Sequence, residues 1–147
     1  KKILEHCSNF YFVQGNHDMY NENCSELKNN DGSKCLVDME LVDTPIGKIT
    51  GISGISTDDN NIDHSYHKYS LEEYNNKLSK ILEHDFDIIL THQPIESNEI
   101  FDSTINKTKY FLSGHYKIDP HIQYKNSNNE NYKFIKINSD NKILIFE

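Results

Sequence analysis

Three short apolar runs each break off into a polar loop that carries a histidine, and this recurrence constrains the chain more than any other feature. Phe10-Tyr11-Phe12-Val13 leads into Gly15-Asn16-His17-Asp18. Phe86-Asp87-Ile88-Ile89-Leu90 leads into Thr91-His92-Gln93-Pro94, and Tyr110-Phe111-Leu112 into Ser113-Gly114-His115. Runs of this length and character read as strands. Ligands of open α/β sheets sit outside the carboxyl ends of strands. An amide, imidazoles and a carboxylate delivered by three strand ends to one sheet edge therefore predict a site.

The elements between these runs point to an α/β fold. Ser70-Leu71-Glu72-Glu73 is a capping box, in which hydroxyl and carboxylate each satisfy an end amide. Leu71, Tyr74, Leu78, Ile81 and Leu82 follow at helical spacing, so an amphipathic helix is expected over 71–84, its apolar side given to core packing. It feeds the run 86–90, whose near-continuous apolar character suits a parallel strand covered on both faces. Residues 35–43 and 48–53 are β-rich and joined by Thr44-Pro45-Ile46-Gly47, which predicts a hairpin. Alternation of Val37, Met39 and Leu41 with Leu36, Asp38 and Glu40 predicts one buried face. Segments 19–34 and 56–69 read as polar surface loops, with Asp63, His64 and His67 incidental to the second. Strands are expected over 118–124, 132–138 and 142–146, and residues 1–147 form a single domain.

Composition narrows the function classes. A net charge of −8 argues against broad binding to nucleic acid or anionic membranes, which requires basic patches. It leaves a phosphate ester open, because bound cations would reverse the local field. No apolar stretch approaches the roughly 20 residues of a membrane span. Cys7, Cys24 and Cys35 are odd in number and lack Cys-x-x-Cys spacing, which fits reduced thiols and a cytoplasmic setting.

Taken in order, the histidine-bearing blocks resemble the calcineurin-like metallophosphoesterase superfamily, which reads Asp-x-His, Gly-Asp, Gly-Asn-His-Asp/Glu, a lone His, then Gly-His-x-His. The third block matches Gly15-Asn16-His17-Asp18, the fourth His92, and the fifth opens with Gly114-His115. The resemblance implies a sandwich of two mixed β-sheets flanked by helices. Two departures stand out. The Asp-x-His and Gly-Asp blocks do not occur before Phe10, and Lys117 stands where the family has its second histidine. The chain is therefore expected to be the C-terminal part of a longer protein, a partial domain without its N-terminal strands and inactive on its own.

The implied activity is metal-dependent hydrolysis of a phosphate ester, with two divalent ions of manganese, iron or zinc in the full-length protein. By resemblance, Asn16, His92 and His115 hold one metal, His17 protonates the leaving oxygen, and Asp18 orients its ring. Lys117 would bind substrate by setting a fixed positive charge near the phosphate. Lys117 also motivates the alternative, a non-catalytic protein-binding scaffold or degenerate member of the same fold.

Overall fold

The computed structural model describes residues 7–94, 110–114, 122–123 and 133–136. A mixed six-stranded sheet organises them: β1 (Val42–Thr44), β2 (Gly47–Ile52), β5 (Ile88–Thr91), β6 (Tyr110–Ser113), β7 (Ile122–Gln123) and β8 (Lys133–Lys136), in the spatial order β1-β2-β5-β6-β8-β7. The outer pairs β1–β2 and β7–β8 are antiparallel, whereas β2, β5, β6 and β8 run parallel. A second sheet pairs β3 (Ile55–Ser56) with β4 (Lys68–Tyr69), also in parallel. The helices are α1 (Glu22–Ser25) and α2 (Leu71–Leu82). The expected mixed α/β architecture, with two sheets and flanking helices, is what the chain adopts.

Register explains the core. Thr50, Ile89 and Phe111 stand in one cross-strand row and Ile52, Thr91 and Ser113 in another. Both rows face the same side because strand side chains alternate. There Ile52, Ile89 and Phe111 pack with Tyr74, Leu78 and Ile81 of α2 and with Phe86. The intervening positions, Ile49 and Ile88, pack on the opposite face with Val37 and Val42, and Tyr11 and Val13 border that cluster. A Cβ on Gly51 would lie 2.6 Å from Val13 Cγ1, so the absence of a side chain lets the segment before Gly15 lie close on β2.

Helix α2 begins as expected. The Ser70 hydroxyl accepts from Glu73 N–H, and the Glu73 carboxylate accepts from Ser70 N–H at 2.9 Å. The hairpin also forms, with Thr44 opposite Gly47 and Gly47 at φ 123°. Leu71 corrects the helix expectation, because it is 62% exposed. It occupies the first helical position, a turn before the residues that reach the core.

Residues 35–43 do not form one strand. Asp38 bridges Gly51 in parallel, then Glu40 N–H donates to Val37 O, and Met39 takes a left-handed φ of 57°. The chain reverses there and returns as β1, which resets the side-chain phase and leaves Leu41 exposed. The strand expected over 10–13 does not form: a single isolated parallel bridge joins Phe12 to Leu36, because only that pair is in hydrogen-bonding register. Of the closing strands, β7 and β8 fall within 118–124 and 132–138, and the one expected over 142–146 lies outside the described residues.

Candidate active site

Parallel register brings the ends of β2, β5 and β6 level, because Ile52, Thr91 and Ser113 share one row. The residues that follow lie at the same edge. His92 N–H donates to Ile52 O at 3.3 Å, and Gly114 N–H bonds to Thr91 O and His92 O. The Gly15 loop is tied to this edge by two bonds. Gln14 N–H donates to the Ser53 hydroxyl at 3.0 Å, and Gly54 N–H donates to Gln14 O at 2.8 Å. Ser53 is itself held, since its N–H donates to the Asp38 carboxylate at 2.9 Å.

The result is a contact between positions 76 residues apart in sequence: His92 Nε2 lies 3.0 Å from Asn16 Oδ1. Asn16 is buried and His92 half-buried. Glycines border the imidazole. A Cβ on Gly15 would meet His92 Cε1 at 2.8 Å, and one on Gly114 would stand 3.8 Å from His92 Nδ1. Space for the ring beside the Gly15 loop thus depends on the missing side chain of Gly15.

Asp18 closes the loop on itself. Its carboxylate accepts from Gly15 N–H at 2.7 Å, and its own N–H donates to Gly15 O at 3.1 Å. The resemblance implied that Asp18 orients the His17 ring; in the structure Asp18 Oδ2 accepts from the loop backbone at Gly15 N–H. The Gly15 amide engages one of the two carboxylate oxygens. His17 is exposed and, with Asp18, lines a cavity of about 520 Å³ shared with Phe10, Phe12, Met19 and Leu27. His115 and Lys117 lie outside the described residues.

Asn16 and His92 fit part of a metal site. An amide oxygen and an imidazole nitrogen are both lone-pair donors that divalent transition ions accept. Asn16 Oδ1 and His92 Nε2, 3.0 Å apart, would both reach one such ion. Without a cation, the same geometry is a hydrogen bond in which the Nε2–H tautomer donates to the amide oxygen. Among the described residues, no group of three or more His, Cys, Asp or Glu side chains could hold a metal.

The polar loop after β3 divides its histidines. His64 is exposed and pairs with Glu73 at 3.2 Å. His67 turns inward, is only 2% exposed, and adopts φ 53°. Its Nδ1 lies 3.3 Å from the Tyr69 hydroxyl, and its Nε2 has no partner among the described residues. Burial pushes its pKa down, countered in part by the Asp38 and Asp18 carboxylates. Burial likewise pushes the Tyr69 hydroxyl up to about 12. Sequence reasoning passed over Ser53, and it read His67 as incidental to a surface loop, whereas His67 is buried. Neither carries a periodic or motif signal, because both act through contacts distant in sequence.

The family model for calcineurin-like phosphoesterases matches residues 1–119, and phosphoester hydrolysis with divalent metals is that family's general chemistry. No curated protein and no solved structure matches the chain. With four-fifths of its length matched to that one family, the chain belongs to the calcineurin-like phosphoesterases.

Proposed function

We propose that the protein carrying this domain hydrolyses a phosphate ester in a metal-dependent reaction. One observation carries the reading: Asn16 Oδ1 and His92 Nε2, from two separate loops, converge to 3.0 Å. A structural amide–imidazole bond is the plain alternative for such a pair. It gives no reason for a buried asparagine to sit between a glycine that clears the ring and a histidine exposed to a cavity.

In this reading Asn16, His92 and His115 hold a divalent cation of manganese, iron or zinc. Bound divalent ions supply an activated water and neutralise charge on the phosphoryl oxygens. The chain's own groups do the rest. His17, exposed at the cavity, donates a ring N–H proton to the leaving oxygen as its bond to phosphorus breaks. Asp18 keeps the Gly15 loop closed through the Gly15 amide, which sets where His17 projects. Lys117 adds a fixed positive charge for the phosphate.

The test is manganese-dependent hydrolysis of para-nitrophenyl phosphate by the protein expressed from its full reading frame. His17→Ala should lower turnover by about 10²–10⁴ with metal content unchanged, whereas His92→Ala should lower metal content as well. Wild-type turnover in His17→Ala would remove the acid role. Protein that neither takes up manganese nor hydrolyses the ester would be a scaffold of this fold.

A further inference from the structure

The cavity beside His17 is divided by chemistry. Phe10 and Phe12 stack with ring centroids 5.4 Å apart and 23° between planes, and they contribute one wall. Met19, Cys24 and Leu27 also line the cavity with apolar or soft surface. Its polar side chains are Gln14, Asn21, His17 and Asp18, the last two bordering the Asn16–His92 contact in sequence. The volume of about 520 Å³ lies in the range of pockets for small organic ligands.

We propose that this slot receives an aromatic leaving group, so that the substrate is an aryl phosphate. The inference rests on the phosphoesterase reading and names its substrate class. A group entering beside His17 is the one joined to the leaving oxygen. A sugar or glycerol would find partners at Gln14 and Asn21 but would also bring hydroxyls against Phe10, Phe12, Met19 and Leu27, where unpaired buried hydroxyls are costly. A phenyl ring gains apolar burial against the same walls, offset stacking on Phe10 or Phe12, and sulfur contacts from Met19 and Cys24. Met19 is 60% exposed, as expected of a side chain available to an incoming ligand.

The reaction balances within this site. The oxygen of water forms the new bond to phosphorus, and the bond from phosphorus to the aryl oxygen breaks. The His17 proton passes to that oxygen, and a proton from the attacking water restores His17. The products are a phenol and inorganic phosphate.

Backbone amide spectra of the protein expressed from its full reading frame test the slot without any turnover. The probes are p-cresol without metal, then phenylphosphonate and methylphosphonate with zinc. The expected result is saturable p-cresol shifts at Phe12, Met19, Cys24 and Leu27. Phenylphosphonate should then bind about tenfold or more tighter than methylphosphonate, the increment expected of a buried ring. Met19→Gln, at an exposed position that spares the fold, should remove most of that preference, and Phe12→Ala should remove it independently. Equal phosphonate affinities with no p-cresol response would overturn the slot and leave the phosphoesterase reading standing. A p-cresol response with phosphonates no tighter than p-cresol would defeat the phosphoesterase reading, and the leaving-group assignment with it.

Discussion

At the scale of single residues, the site is decided by what Gly15 lacks. Any side chain there would press on the His92 ring, with the first carbon already 2.8 Å from Cε1. Gly15→Ala should therefore displace the ring from Asn16 and cost about 1–3 kcal/mol in overpacking, read as a lower urea midpoint and weaker zinc uptake. Gly114→Ala is the contrast, because its Cβ would meet His92 O at an ordinary 3.5 Å. Equal zinc affinity in Gly15→Ala and the parent chain would show that the ring does not need this clearance. The residue types at the site were legible in the sequence: Asn16, His17, Asp18 and His92 all follow apolar runs. The bond that Asp18 makes to its own loop was not legible. A carboxylate next to an imidazole suggests a pair, and only the folded loop shows that the Gly15 amide takes the carboxylate.

At the scale of elements, local chemistry predicts what local chemistry determines. The capping box of α2 formed as read, since both bonds lie within four consecutive residues. Ser70→Ala should lower stability by about 1 kcal/mol in equilibrium urea unfolding. A loss within error would mean that packing of Tyr74, Leu78 and Ile81 holds the helix without its cap. The Thr44–Gly47 hairpin was equally legible, from proline followed two residues later by glycine. Alternation over 35–43 misled, because periodicity carries no information about reversal of the chain. Met39 in a left-handed conformation and the Ser53–Asp38 bond turn one expected strand into two paired segments. Strands β3 and β4, of two residues each, are too short to register as a pattern.

At the scale of the whole molecule, stability depends on pH through groups that folding moves out of water. His67 is one. Its folded pKa lies below the ordinary 6.5, so the unfolded chain binds more protons than the folded one between those values. Stability should thus fall as pH drops below about 6.5 towards the folded value, and be unaffected by this group above that window. His67→Asn keeps a residue type that tolerates the left-handed backbone and removes the titration. Its urea midpoint should change less between pH 7 and pH 5 than that of the parent chain, and an identical slope would clear His67 of any part. The arrangement that places Asn16 against His92 also has a kinetic side. Closing a loop of 76 residues costs about 4 kcal/mol in chain entropy, and β2 and β5 must pair before the two loops are level. Such long-range pairings form late. A nascent or partly unfolded chain carries both residues but not the pair, so the contact exists only once β2 and β5 stand in register.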